Sequence, residues 1–380
     1  MKEPKIRFKG FQGEWNSSKY EEVFSLIGDT GHNVQKNEYC ERGSYPVVDQ
    51  SKEYIVGYTD KVMPIDGSKG LIIFGDHTRE IKYIDFPFCT GADGTRILKS
   101  EQSFDARFMY YVCHSLNIPN TGYNRHFKYI QEAIYHTPET IAEQQSIASF
   151  FQHLDSLIQS TTKKIESLKQ VKAASLQSMF PQEGETTPRV RFKGFEGEWE
   201  KRLFSELYEP SSIKNKTFGA DKIISVANMY FKPVSYISDE EYLKSYNVMN
   251  LGDIAFEGHS SIDFAYGRFV ENTIGEGIVS HVFVVMKPIS EKYDISFWKY
   301  YINYERIMGK VLSRSTKAST MMNDLVVDDF LKESIFVPSY EEQIEIGKIL
   351  SSLDRQITLQ NQRLEKLKQI KAACLDNMFV

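Results

Sequence analysis

At 380 residues with 41% hydrophobic side chains, the chain is long enough for two or three domains and carries the apolar material for sizeable cores. A formal net charge of −5 excludes a protein that coats nucleic acid by charge alone. The first residues lack the apolar core of a secretory signal and no run reaches the roughly 18–20 uncharged residues of a membrane helix, so a soluble protein without membrane contact is expected.

The chain opens on "PKIRFKGFQGEW" (4–15), and nearly the same words return as "PRVRFKGFEGEW" (188–199), with nine of twelve positions identical. Between them, residues 16–138 read as strands and turns with one helix. Short β-branched and aromatic runs such as "GLIIFGDHTREIKY" are bounded by Gly and Asp, and "SFDARFMYYVCHSL" has helical spacing. Cys40, Cys89, Cys113 and Cys374 are dispersed with no C-x-x-C pair, which points away from a zinc site or disulfide framework and toward a reducing cytoplasm.

A long helix is predicted next. Ile147, Phe151, Leu154, Ile158, Ile165 and Leu168 alternate by fours and threes into one apolar stripe, with no proline to interrupt it. The segment 142–180 reappears as 341–379, where Ile346, Leu350, Leu353, Ile357, Leu364 and Leu367 keep the register. Such a stripe needs a partner, and its cheapest one is the other copy, packed in coiled-coil fashion. Polar interruptions fall at matching places, Thr161 with Gln360 and Lys172 with Lys371, and can fix register. The Pro, Gly and Thr content of "PQEGETTP" marks 181–188 as a linker.

Residues 200–337 again give strands and then a helix, but with little identity to the first middle. Expected boundaries are therefore 1–138 for a first domain, 139–180 for a first long helix, 181–188 for a linker, 189–337 for a second domain and 338–380 for a second long helix. The fold class is α+β, a pseudo-twofold internal repeat whose two globular domains are separated by two long antiparallel helices. A duplicated scaffold holding divergent middles suits two different readers of one ligand.

Candidate reading residues lie where basic and hydroxyl or amide side chains collect. Arg306, Lys310 and Arg314 lie four apart on one helical face, and Ser315, Thr316, Lys317 and Ser319 follow in a hydroxyl-rich loop. After the first domain's helix the matching place holds Asn120, Asn124, Arg125, His126 and Lys128. A hairpin offers His77, Thr78 and Arg79, and a second turn offers His259, Ser260, Ser261 and Arg268; Tyr58 and Tyr123 are candidate stacking rings. Charge is nearly balanced in both halves, 17 basic against 18 acidic residues over 1–138 and 19 against 21 over 188–337, so a polyanion must be met by local patches or by partner subunits. An enzyme is disfavoured: "NMYF" (228–231) and "DFPF" (85–88) are imperfect echoes of a methyltransferase motif, and no phosphate loop of the G-x-x-x-x-G-K-[ST] kind occurs.

Taken together, the two starts, the variable middles and the duplicated "LKQVKAASLQSMF" and "LKQIKAACLDNMF" endings resemble the DNA-specificity subunit of a type I restriction-modification system. The resemblance implies two target-recognition domains, each reading half of a split, asymmetric site in double-stranded DNA, with the long helices setting the unread spacer. It implies two flanking modification subunits that carry S-adenosylmethionine for adenine methylation. It also implies restriction subunits that use ATP and Mg, with no catalytic residue, metal or cofactor on this chain. The competing reading is a coiled-coil scaffold that tethers two modules binding something other than DNA.

Overall fold

In the computed structural model, which describes residues 3–91, 94–122, 124–234, 240–319 and 322–380, the chain folds as two compact units. One comprises Met1–Lys163 with Gln362–Val380 and the other Lys164–Asn361. Each long helix is thus divided between the units, whereas the repeats met along the sequence end at the linker.

The first unit is built on four antiparallel strands, β1 (Phe24–Ile27), β2 (Leu71–Gly75), β3 (Ile81–Ile84) and β4 (Thr95–Ser100), in the order β1-β4-β2-β3. All five residues of β2 are buried, as its unbroken apolar run requires of a central strand. Helix α1 (Ala106–Ser115) starts on Asp105, whose carboxylate accepts the Phe108 amide at 2.8 Å, and it buries Phe108, Met109, Tyr111, Val112 and Cys113. Helix α2 (Phe127–Glu132) follows, then a ribbon pairing Asn16–Ser18 with Tyr135–Thr137. The first half of helix α3 (Ile141–Met179) completes the unit together with residues 362–378 of the C-terminal helix.

The second unit repeats the plan. Strands β5 (Tyr208–Ser211), β6 (Ile254–Glu257), β7 (Arg268–Glu271) and β8 (Val285–Pro288) take the equivalent order β5-β8-β6-β7. Helix α4 (Ile295–Tyr301) is capped by Asp294, again three residues before the amide it accepts, that of Phe297 at 2.8 Å. Helices α5 (Glu305–Ser315) and α6 (Val327–Lys332) follow, and Glu200–Leu203 pairs with Ser334–Val337. The second half of α3 and the first half of α7 (Tyr340–Met378) belong here.

Both long helices have 39 residues, roughly 58 Å at the standard rise per residue. Their first turns lie just beyond Pro138 and Pro338, where Thr140 Oγ1 and Ser339 Oγ accept the amides of Glu143 and Glu342. Within each unit the two helix segments run antiparallel. In the first, Lys371 Nζ reaches Asp155 Oδ1 at 2.6 Å while Met378 and Phe379 join the cluster of Ile147 and Phe151. In the second, Lys172 Nζ reaches Asp354 Oδ1 at 2.6 Å while Met179 and Phe180 join that of Ile346 and Leu350.

The stripe is not spent on helix pairing alone. The Phe151 ring packs, tilted, against Tyr111 of α1 at 5.0 Å and against Phe379 at 5.6 Å, so each helix is glued to its own domain as well as to the other helix. Ile147, Phe151, Leu154, Ile165, Ile346, Leu350 and Leu353 are buried; Ile158, Leu168, Ile357, Leu364 and Leu367 are half-buried, as suits helices with one face in solvent.

The repeated opening words now have a physical role. Arg7 grips Glu143 with two hydrogen bonds of 2.7 and 2.8 Å and donates to Gly13 O, and Arg191 grips Glu342 at 2.7 Å twice and donates to Gly197 O. Both glutamates are buried in the first turn of a long helix, where a negative charge also suits the helix dipole. The next residue in each helix reaches the cap of the shorter one: Gln144 accepts the Asp105 amide and Gln343 that of Asp294. Trp15 packs on Phe108 and Phe379, and Trp199 on Phe297 and Tyr301.

Candidate nucleic-acid interface

In the first unit, two of the polar stretches singled out along the sequence are brought together at one end of the sheet. The β2–β3 turn carries Asp76, His77, Thr78 and Arg79. It closes through Gly75 N to Glu80 O and Arg79 N to Gly75 O, both 2.8 Å, with Arg79 in the left-handed region at φ 64°. Asp76 is buried and ties three segments: its amide donates to Gly94 O, its carbonyl accepts from His126 N, and its carboxylate accepts the Phe127 amide, each at 2.8 Å. The loop before α2 is thereby fixed beside the hairpin tip. Arg79 Nη1 adds a bond to Ile118 O at 3.3 Å.

A third segment joins them. Gln50 accepts the His77 amide through Oε1 at 3.1 Å, and its carbonyl accepts from Thr78 Oγ1. Lys82, buried in β3, holds the backbone on either side of Gln50 by donating to Asp49 O and Glu53 O at 2.7 and 2.5 Å, and burial lowers its pKa. Nothing local in the sequence distinguishes Gln50; its placement comes from contacts 27 and 28 residues away.

At this end Thr78, Asn120, Asn124, Arg125 and Lys128 are exposed and His77 and Arg79 half-exposed. His126 is different. Its ring is fully buried, with Nδ1 at 3.0 Å from Asp76 O and Nε2 at 3.2 Å from Thr121 Oγ1, so it positions the loop and does not face solvent. Tyr58 is half-buried on a strand edge, and Tyr123 lies outside the described residues.

The second unit makes an equivalent junction with other residues. The β6–β7 turn holds His259, Ser260, Ser261 and, where β7 begins, Arg268. Asn323, buried in the ribbon that pairs Thr316–Ala318 with Asn323–Leu325, donates from Nδ2 to Ser260 Oγ at 2.9 Å and from its backbone N–H to Gly258 O at 2.8 Å. Arg268 sits over the Phe264 ring at 5.0 Å and bonds Ala227 O at 2.7 Å, drawing in the tight turn between Ile224–Ser225 and Tyr230–Phe231. That turn is the "NMYF" stretch, a hairpin with Met229 at φ 49°. His259, Ser260, Ser261, Lys317 and Ser319 are exposed here, beside exposed Tyr230 and Tyr266, two aromatics that spacing alone did not separate from core rings.

The basic face of α5 goes elsewhere. Arg314 forms a bidentate pair with Glu333, at 2.8 Å through Nε, Lys310 pairs with Glu183, and Arg306 contacts Gln182 Oε1 at 3.5 Å. Their partners lie in the 181–188 linker and beside α6, remote in sequence, so the face was legible but its neutralisation was not. Ser315 is fully buried and donates to Val311 O, and Thr316 Oγ1 donates to Leu312 O at 2.7 Å, so both hydroxyls are turned back onto carbonyls of the last helical turn.

The model of the type I restriction modification DNA specificity domain matches residues 12–170 and again 197–369. The chain is similar to the crystal structure of a type I restriction-modification system S subunit from M. genitalium, at TM-score 0.66 and 16% identity over 100% of this chain and 99% of that one. It is also similar to a structure described as the structural basis of complex assembly and conformational transition of the type I R-M system, at TM-score 0.50 and 13% identity over 96% and 97% of the chains. An HsdS subunit from Thermoanaerobacter tengcongensis matches at TM-score 0.45 and 14% identity over 96% of both.

Proposed function

This chain belongs to the type I restriction modification DNA specificity family, and on that premise we propose that its two units read the two halves of one split, asymmetric duplex site. It is a DNA-sequence-recognition subunit that confers specificity and leaves catalysis to others, acting with DNA and with methylase and restriction partners. A scaffold for some other ligand finds no support.

One observation carries the two-reader proposal. Both units build the same junction, a β-turn tip locked to the loop before a short helix by side-chain bonds from Asp76 in one and Asn323 in the other. The locking is shared, whereas the side chains it presents are not: Thr78, Arg79, Asn124 and Arg125 against His259, Ser261, Lys317 and Ser319. Amide, hydroxyl and cationic groups of this kind hydrogen-bond to base edges and phosphates. Lys310 and Arg314 are left out of the reading set because Glu183 and Glu333 already meet their charge, and Arg306 because it turns with them toward the linker, onto Gln182 Oε1.

The stoichiometry of two modification subunits is supported by a second feature. Lys169, Gln170, Val171, Ala173 and Ala174 in α3 match Lys368, Gln369, Ile370, Ala372 and Ala373 in α7, and all ten are exposed. Burial does not account for that identity, whereas one partner docking twice does. Adenine methylation with S-adenosylmethionine, and ATP and Mg use, then belong to the partner subunits, and the complex works in the cytoplasm. Among the described residues, no helix is long and apolar enough to cross a membrane.

The test is an exchange of residues 16–138 for those of a relative, followed by genomic methylation mapping. One half-site should change and the other persist; if both change, or neither, the proposal fails. Val171→Asp and Ile370→Asp should each leave one modification subunit bound in native mass spectrometry, and the pair none.

A further inference from the structure

The β6–β7 turn of the second unit occupies the topological place of the β2–β3 turn of the first, but it is longer and its outermost side chain is apolar. Ile262 is fully exposed, the most exposed large hydrophobic residue among the described residues. Single exposed apolar groups are ordinary on protein surfaces. What sets this one apart is that its loop is held rigidly. Ser260 Oγ bonds Ala265 O at 3.0 Å, Ser261 N bonds Phe264 O at 2.9 Å, Phe264 N returns to Ser261 Oγ at 3.1 Å, and Asn323 and Arg268 brace the base. Ile262 and Asp263 are thus presented at a fixed corner, with the isoleucine side chain fully exposed.

We propose, resting on the DNA-reading assignment above, that Ile262 packs against the C5 methyl group of a thymine in the half-site read by the second unit. The flanking groups favour base edges over backbone. Asp263 is exposed and would be repelled by phosphates, but its carboxylate can accept from the exocyclic amine of a neighbouring base. Of the groups that the major-groove edges display, the thymine methyl is the apolar one, and it is the match for a fully exposed isoleucine. The first unit has His77, Thr78 and Arg79 at the same place, so the two half-sites are read there by different chemistry.

The experiment uses the full chain with its modification subunits and duplexes carrying the site found by methylation mapping, each thymine of the second half-site replaced in turn by deoxyuridine. Removing one contacted methyl should weaken wild-type binding about fourfold at a single position. Ile262→Ala should bind the thymine duplex correspondingly less well and be indifferent to uracil at that position, while keeping its response elsewhere. The proposal is overturned if the half-site has no thymine, if no uracil substitution matters, or if Ile262→Ala binds like wild type or keeps the full uracil penalty. If wild type itself does not prefer the mapped site to a scrambled duplex, the DNA-reading assignment falls first and this proposal with it.

Discussion

Replacing Lys172 by methionine tests whether the matched polar interruptions in the long helices set their pairing. Lys172 Nζ lies 2.6 Å from Asp354 Oδ1, and Tyr300 donates to Oδ2 at 2.6 Å; the lysine and aspartate side chains are 26% and 32% exposed. Wholly exposed pairs contribute about 0–1 kcal/mol, and breaking a wholly buried pair costs about 3–5 kcal/mol. The intermediate exposure places Lys172→Met at roughly 1–2.5 kcal/mol, read by denaturant unfolding at pH 7. Lys172→Met with Asp354→Asn should recover most of that loss, since the uncompensated charge is gone and an oxygen still accepts from Tyr300. The pH dependence has a definite sign. Burial raises the Asp354 pKa, but the bonds from Lys172 and Tyr300 outweigh it and hold it below the ordinary 3.8. A depressed carboxyl stabilises the fold above that value and ceases to do so as pH falls through its folded pKa, so wild type and Lys172→Met should converge below pH 3.8. Equal stability at pH 7, or a double variant weaker than the single one, would refute the reasoning.

Arg191→Ala leaves Glu342 buried and unpaired and should cost roughly 3–5 kcal/mol by the same unfolding assay, with Arg191→Lys recovering only part because one ammonium cannot serve both oxygens and Gly197 O. Gly94→Ala places a methyl 2.8 Å from Gln50 Nε2 and 2.9 Å from His77 at a φ of +89°; methylation mapping should show the first half-site relaxed and the second intact. Asn323→Ala unties Ser260 and Gly258 and should relax the second half-site alone. A circular permutant that joins residue 380 to residue 4 through a copy of the 181–188 segment and opens within that segment should keep its specificity, as checked by the same mapping.

The sequence made the repeats and the helices legible because both are local or periodic signals. The 4–3 spacing of Ile147, Phe151 and Leu154 needs no knowledge of a partner, and neither does the four-residue spacing of Arg306, Lys310 and Arg314. What those faces meet is decided at long range. Arg7 and Glu143 are 136 residues apart, so the opening words were recognised as repeated without their role as helix clamps being visible. His126 looked like a reading residue in a polar loop until Asp76, 50 residues earlier, took its ring nitrogen. Gln50 was silent for the same reason. The sequence predicts helix starts near 139 and 338, and the caps at Thr140 and Ser339 set them two residues later, at Ile141 and Tyr340.

The duplication also explains why repeats in sequence and units in space do not coincide. Each "MF" ending must fill a pocket lined by an opening tryptophan. Phe180 does so beside Trp199, which follows it in the chain, with Val190 N bonded to Ser178 O at 2.9 Å. Phe379 does the same beside Trp15, far before it, with Ile6 N bonded to Asn377 O at 2.9 Å. One set of contacts is therefore made twice, once across a short linker and once between distant parts of the chain. A helix whose end completes the next opening must belong half to the domain it leaves and half to the one it enters. That is why divergence is confined to the middles: a change in either opening or either ending has to remain compatible with a partner in the other repeat, whereas the segments that carry Thr78, Arg125, His259 and Lys317 take no part in those contacts.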